Sequence, residues 1–284
     1  MTKILLYGAS GFCGSHIFKA LNRPGWFVIG TAFKHTQAGL TYTDLTKYKM
    51  VEEDILGCEP DFIIFAAGNK DRNASYKELY RDNTLPIKHI YKVIKEHKLK
   101  TRVIFISTDA VFSGEDKDNY DGRVPQPTTN YGKTKYLAEQ ALEPNPLSHG
   151  MKNPVDYRII RTSAVIGRGS LFLSWLMDEF SHCDLFKVYA DQYLSPTSIE
   201  LLTNAIVYII ENWDKVKQPI IHICGKRMSR YQFACLVAKA INYGGSIYKD
   251  KGKYSDTSMV PSDIQKKIKH KPMEEYLKGL LNDL

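Results

Sequence analysis

Lys3-Ile4-Leu5-Leu6-Tyr7-Gly8-Ala9-Ser10-Gly11-Phe12-Cys13-Gly14 decides the fold of this chain. Lys3 to Tyr7 is an apolar run of strand length. Phe12 to Asn22 carries helical periodicity, and Pro24-Gly25 ends it. Between the two lie three glycines at G-x-x-G-x-x-G spacing, where many dehydrogenases have G-x-G-x-x-G. Gly8 closes the turn, Gly11 lets backbone approach a pyrophosphate, and Gly14 lets the helix sit close to the sheet. Ser10 and Phe12 belong to the same loop, and the helix N-terminus offers N–H groups to an anion. An ordinary tight turn also uses glycine. A strand before and a helix after favour a dinucleotide site.

Outward from this turn, strands and helices alternate. Trp26–Ala32 and 40–43 are strand runs, 45–56 is helical, and Asp61–Ala67 is apolar again. A long helical pattern covers 76–98, with Pro86 marking a break or a helix start. Val103–Ser107 and Tyr157–Arg161 are strands, with a helix over 130–142 between them. This order predicts an α/β chain: a Rossmann-like doubly wound parallel sheet with a smaller C-terminal substrate lobe. The cofactor domain is expected over 1–165 with a return segment near 197–224, and the lobe over 166–196 and 225–284. Helices are expected at 171–180, 199–213, 231–241 and 273–281, a turn and a strand between the first two, and a strand at 219–224.

Composition narrows the function. The 284 residues carry a net charge of +8, but the basic residues are spread along the chain, with short clusters only at 249–253 and 266–271. That is a solvated surface rather than a nucleic-acid footprint. Cys13, Cys58, Cys183, Cys224 and Cys235 are odd in number and form no C-x-x-C pair. A disulfide framework and a structural zinc are not expected, and the histidines show no metal-ligand spacing. No segment has the length and apolarity of a signal peptide or membrane span, so no membrane is expected as partner, and the expected compartment is the cytoplasm.

Two further stretches carry chemistry. Ser107-Thr108-Asp109 ends an apolar strand, where ligands of open α/β sheets bind. Tyr131 and Lys135, in Asn130-Tyr131-Gly132-Lys133-Thr134-Lys135, are four apart on a helix. Four residues turn through roughly 400°, so phenol and ammonium share one face. The second strand leads into Phe33-Lys34-His35-Thr36, with no acid before Asp44. A cation there suits a ribose 2′-phosphate, which favours NADPH over NADH.

Together these motifs resemble the extended short-chain dehydrogenase/reductase superfamily, and within it the dTDP-4-dehydrorhamnose reductase (RmlD) family. Ser107-Thr108-Asp109-Ala110-Val111-Phe112, Arg161-Thr162-Ser163 and Asp191-Gln192-Tyr193-Leu194-Ser195-Pro196-Thr197 resemble that family's S-T-D-Y-V-F, R-T-S and D-Q-x-x-x-P-T segments. The likeness spans nearly the whole chain and weakens after about residue 245. It departs at Ala110, Ser113 and Ala164, and in the tail, which lacks a proline- and arginine-rich run. These departures leave open which nucleotide and which sugar are bound.

The resemblance implies reduction of a nucleotide-diphosphate-linked 4-keto-6-deoxy sugar, in deoxy-sugar and polysaccharide precursor synthesis, with NADPH as hydride donor. Thr108, Tyr131 and Lys135 would be catalytic. Lys135 would draw the Tyr131 phenol down toward neutrality. Gly8, Ser10, Gly11, Phe12, Gly14, Lys34, Asp44, Ala66, Ala67, Asn83, Tyr131 and Lys135 would hold the cofactor. Asp109, Val111, Phe112, Arg161 and Gln192 would hold the sugar nucleotide. No metal is implied, and a homodimer is compatible with the family. Two rivals remain: a nucleotide-sugar epimerase on the same scaffold, and a non-catalytic subunit resembling that of methionine adenosyltransferase. A dehydratase would need a second acid where Ala110 stands.

Overall fold

A computed structural model of the chain describes residues 1–71, 73–115, 119–120, 122–143 and 153–282. Contacts divide it into two units. The first comprises 1–111, 127–160 and 217–220; the second, nearly as large, comprises 112–126, 161–216 and 221–284.

The first unit is built on β1 (Thr2–Tyr7), α1 (Phe12–Leu21), β2 (Trp26–Ala32), β3 (Thr41–Tyr42), α2 (Tyr48–Cys58), β4 (Phe62–Phe65), α3 (Tyr76–Asn83), α4 (Leu85–Glu96), β5 (Arg102–Thr108), α5 (Asn130–Leu142) and β6 (Asp156–Thr162). With β11 (Ile220–His222) they form one sheet in the order β11-β6-β5-β4-β1-β2-β3. The pairings β3–β2, β2–β1, β1–β4 and β4–β5 are all parallel. Strand order runs one way from β1 to β3 and the other way from β4 to β6. The reversal point therefore lies between β1 and β4, where doubly wound sheets bind ligands.

Apolar strands and one-sided helices produce this layering. All four residues of β4 are buried, as a strand covered on both faces requires. On one face Leu5, Tyr7, Ile63, Phe65, Val103 and Phe105 meet Val51 and Ile55 of α2, Ile87 and Ile90 of α4, and Ala138 and Leu142 of α5. The apolar pattern over 76–98 is two helices, not one. Pro86 sits in the first turn of α4, where a missing N–H costs nothing. Ser75 and Glu78 close a capping box on α3.

The second unit holds β7 (Val165–Ile166), α6 (Leu171–His182), β8 (Leu185–Tyr189), β9 (Gln192–Leu194), β10 (Thr197–Ser198), α7 (Ile199–Glu211), β12 (Met228–Ser229), α8 (Arg230–Ala240), β13 (Ser246–Asp250), β14 (Ser255–Asp256) and α9 (Met273–Leu281). Its core joins Leu176, Phe180, Phe186, Val188, Phe233, Val237 and Leu277. The segment between α6 and α7 holds three short strands where one was expected. β13, paired in parallel with β8, has three of its five residues exposed, so its apolar pattern is faint. Helix α7 packs on β7 and β10 and groups with the second unit.

Candidate active site

The glycine turn falls at the carboxyl end of β1. Gly8 has φ +86, and a Cβ there would lie 2.6 Å from the Ala67 nitrogen. A Cβ on Gly14 would lie 1.9 Å from the Gly8 oxygen. Both glycines are demanded by the fold. Gly11 is different: its φ of −77 and ψ of 167 suit any residue, and its nearest neighbour would be the Gly8 oxygen at 3.4 Å. Neither backbone conformation nor packing within the chain requires glycine at 11. Gly11 is the N-cap of α1 with no side-chain cap bond, and the first turn carries no acid. That leaves the positive helix end for an anion. Phe12 packs its ring against His16, and Ser10 is half-buried in the same loop.

Ala66 and Ala67 follow β4 directly, and the Ala66 N–H donates to the Tyr7 oxygen at 3.0 Å. Lys34 is exposed beyond β2. Asp44 accepts both the Thr46 N–H at 3.0 Å and its hydroxyl at 2.7 Å, so one carboxylate oxygen serves a local turn.

Asn83 is fully buried. Its Oδ1 accepts the Asn69 N–H at 2.7 Å, and its Nδ2 donates to the Asn69 oxygen at 2.9 Å and to Thr134 Oγ1 at 3.2 Å. Thr84 Oγ1 donates to the Thr134 oxygen at 2.7 Å. Asn83 thus ties the loop after β4 to α5. Sequence reading placed it beside the cofactor, and its amide is engaged in holding the chain.

Helix α5 is seated by Gly132, where a Cβ would stand 2.0 Å from the Ala110 oxygen. This brings the first turn of α5 against the end of β5. Thr129 caps the helix through the Gly132 N–H at 3.0 Å. Tyr131 is half-buried beside Thr108 and Asp109. Burial, then the Asp109 carboxylate, push its phenol up to about 12, while a hydrogen bond with the Thr108 side chain works the other way. Thr108 Oγ1 also donates to Asp109 Oδ1 at 3.1 Å and accepts the Ala110 N–H at 3.2 Å.

Lys135 is buried. Its Nζ donates to the Ile106 oxygen at 2.7 Å and lies 4.1 Å from the centre of the Phe105 ring. Burial brings its ammonium down to about 7, opposed by Glu139 and Cys13. The phenol is therefore not drawn toward neutrality by Lys135, as the sequence led one to expect. The amine faces the backbone of β5, and burial dominates both groups.

Sequence reading missed two neighbours. Cys13, in the first turn of α1, acts electrostatically on both Tyr131 and Lys135, and its own thiol is pushed up to about 11, by burial first. Glu139, fully buried one turn beyond Lys135, accepts the Ser107 hydroxyl at 2.5 Å. A carboxylate at i+4 from Lys135 was the available signal for Glu139.

Of the residues assigned to the sugar, Asp109 and Val111 end the 1–111 segment of the first unit, and Val111 is fully buried. Phe112, Arg161 and Gln192 belong to the second. There the Arg161 guanidinium lies 5.4 Å from the Phe112 ring centre, and both side chains are buried. Gln192 Nε2 donates to the Lys253 oxygen at 3.4 Å. Among the described residues no cluster of His, Cys, Asp and Glu could hold a metal ion, and no helix is long and apolar enough to cross a membrane.

The model of the RmlD substrate binding domain matches residues 1–266. The chain belongs to that family. Its fold is that of the extended short-chain dehydrogenase/reductases. Among curated relatives, the spore coat polysaccharide biosynthesis protein SpsK of Bacillus subtilis is 27% identical over 84% of this chain and 78% of its own length. The methionine adenosyltransferase 2 subunit beta of Xenopus laevis is 25% identical over 86% and 73%. The dTDP-4-dehydrorhamnose reductase of Salmonella typhimurium is 30% identical over 73% and 66%. Among solved structures, a dTDP-4-dehydrorhamnose reductase of Clostridium acetobutylicum superposes with TM-score 0.83 at 23% identity, covering 99% of both chains. One from Bacillus anthracis, in complex with NADP, gives 0.82 at 21%, covering 100% and 99%.

Proposed function

We propose that this protein is a nicotinamide-dependent oxidoreductase that uses NADPH to reduce a nucleotide-linked 4-keto-6-deoxy sugar. The observation that carries the reading is the joint placement of Thr108, Asp109, Tyr131 and Lys135 where β5 meets α5, in the unit that holds the Gly8–Gly14 turn. Membership of the RmlD family and likeness to a structure solved with NADP support it.

The residues fit a dinucleotide. A Cβ at Gly11 would meet only the Gly8 oxygen, at 3.4 Å, and the helix end behind it has no side-chain cap, which suits a pyrophosphate. Exposed Lys34, beyond β2, suits a 2′-phosphate. The cofactor supplies a hydride; the chain supplies binding, orientation and a proton. At neutral pH the Tyr131 phenol keeps its proton, because burial and Asp109 both disfavour the phenolate. It is thus poised as an acid toward an oxygen gaining negative charge. The Thr108 hydroxyl, beside that phenol, would hydrogen-bond the same oxygen and orient it. The phenolate left behind is unfavourable in this setting until a cation balances it. Lys135, buried and titrating near neutrality, is the cation at hand. Asp109, beside the Thr108 hydroxyl, would meet a sugar hydroxyl.

The test is to mix purified protein with NADPH and a panel of dTDP-, UDP-, GDP- and CDP-linked 4-keto-6-deoxy sugars. The reading predicts one NADPH oxidised per sugar reduced for at least one member. Sugar interconversion without net NADPH loss would make the protein an epimerase. No turnover, with a co-purifying enzyme at fixed stoichiometry, would favour a role like that named for the methionine adenosyltransferase subunit.

A further inference from the structure

We propose that Glu139 is a positioning residue of this site: a buried acid, anchored by Ser107, that sets the charge of Lys135 one turn before it on α5. The reading of Lys135 as part of an oxidoreductase site underlies the functional meaning of this assignment.

The geometry carries it. Glu139 is 0% exposed and stands four residues after Lys135, so the two side chains share one face of α5. Ser107 Oγ donates to Glu139 Oε1 at 2.5 Å, and Lys135 Nζ donates to the oxygen of the preceding residue, Ile106, at 2.7 Å. Adjacent residues at the end of β5 thus hold adjacent turns of α5, one through an acid and one through a base. Thr108 comes next in the chain.

A buried pair of this kind is a poor way to gain stability. Desolvating two charges costs several kcal/mol per ion, and apolar residues of similar volume commonly do as well or better. Helix α5 already has Ala138 and Leu142 in the core of the first unit. An acid between them is explained by what it does to its neighbour. Among the described residues, the other groups acting on Lys135 are a carbonyl, an aromatic face and a half-buried thiol, none of which carries the full negative charge of a carboxylate.

Other titratable groups also face the pair. Cys13 of α1 acts on both Lys135 and Tyr131; Lys70 acts on Cys13, and Asp109 on Tyr131. On the far side, the phenol of Tyr157 in β6 is pushed up to about 12, by burial first and then by Glu143, with Arg158 opposing and Glu139 adding a smaller push. Tyr157 keeps its proton at neutral pH, and so does the Cys13 thiol. Glu139 is the one carboxylate acting on Lys135 among these groups.

The experiment is a pH titration by NMR of protein with 13Cε-labelled lysine, the Lys135 signal being assigned by its loss in Lys135→Arg. In the unaltered protein it should titrate near pH 7. In Glu139→Gln its midpoint should fall by at least about one pH unit, and in Glu139→Asp more than half of that shift should return. The high-pH limb of kcat/KM should move down by a matching amount, about tenfold in rate per unit at fixed alkaline pH. A purely structural acid would change melting temperature and leave the midpoint in place. If Glu139→Gln fails to fold, Ser107→Ala carries the test, with a smaller shift in the same direction. A Lys135 midpoint unmoved in the folded variant would overturn the assignment. Absence of turnover with every sugar nucleotide, alongside a midpoint that does shift, would overturn the reductase reading and leave Glu139 assigned.

Discussion

Adding one methyl group at Gly11 and at Gly14 separates what the fold needs from what the ligand needs. At Gly14 the new Cβ would stand 1.9 Å from the Gly8 oxygen, about 1.5 Å short of the 3.4 Å at which ordinary contact begins. Neither atom belongs to a flexible side chain, so β1 and α1 must move apart. Overpacking of this kind costs about 1–3 kcal/mol and sometimes more, against roughly 0.5–1 kcal/mol gained by replacing a helical glycine with alanine. Gly14→Ala should therefore lower stability by at least about 1 kcal/mol. At Gly11 the same methyl meets only that oxygen, at 3.4 Å, and the backbone is already in a region open to alanine. Losing a glycine N-cap costs about 1 kcal/mol or less, so Gly11→Ala should stay folded. Its methyl, however, stands where a pyrophosphate would approach. NADPH affinity should drop at least tenfold, about 1.4 kcal/mol. Urea unfolding gives the stabilities, and quenching of protein fluorescence gives the affinity. Gly11→Ala binding NADPH as tightly as the parent would refute the assignment of this turn to the dinucleotide. A more stable Gly14→Ala would refute the steric account.

Replacing Lys34 by glutamate should reduce kcat/KM with NADPH by tenfold or more and leave that with NADH within about twofold, as expected when a cation facing a 2′-phosphate is lost; equal losses with both would remove Lys34 from the site. Lys135→Met should raise the melting temperature at pH 7 while abolishing turnover. Burial puts the Lys135 midpoint near 7 in the folded protein against 10.5 in the unfolded chain, so the unfolded state binds more protons between those values. The parent's stability should accordingly gain a rising contribution from pH 7 to pH 10.5 that Lys135→Met lacks. Superimposable pH profiles of the two stabilities would show that Lys135 titrates normally.

The turn at Gly8–Gly14 was legible because its information is local: an apolar strand, three glycines and a helical period lie within a dozen residues. Helix α5, at 130–142, was legible for the same reason. The Tyr131–Lys135 pair followed from helical spacing alone. What surrounds it did not. Cys13 of α1 and Ser107 of β5 come from elements distant in sequence, and only the folded sheet brings them to Lys135 and to Glu139 of the same helix. The electrostatics went astray for a related reason. From sequence, an ammonium near a phenol lowers its pKa; in the fold, burial comes first for both groups and sends phenol and ammonium in opposite directions, with Asp109 next at the phenol. Asn83 was recognised as special, but its bonds to Asn69 and Thr134 could not be foreseen. In the second unit, β13 and β14 escaped notice because short strands with mostly exposed or polar residues carry little apolar periodicity.

The account rests on Tyr131 delivering the proton. The most direct measurement is single-turnover reduction of an accepted 4-keto-6-deoxy sugar nucleotide by NADPH-loaded protein, comparing the parent with Tyr131→Phe. Loss of the hydroxyl should slow hydride consumption by at least about 10²-fold while NADPH affinity stays within about threefold. Reduction at near-parental rate in the Phe variant would contradict the account at its centre.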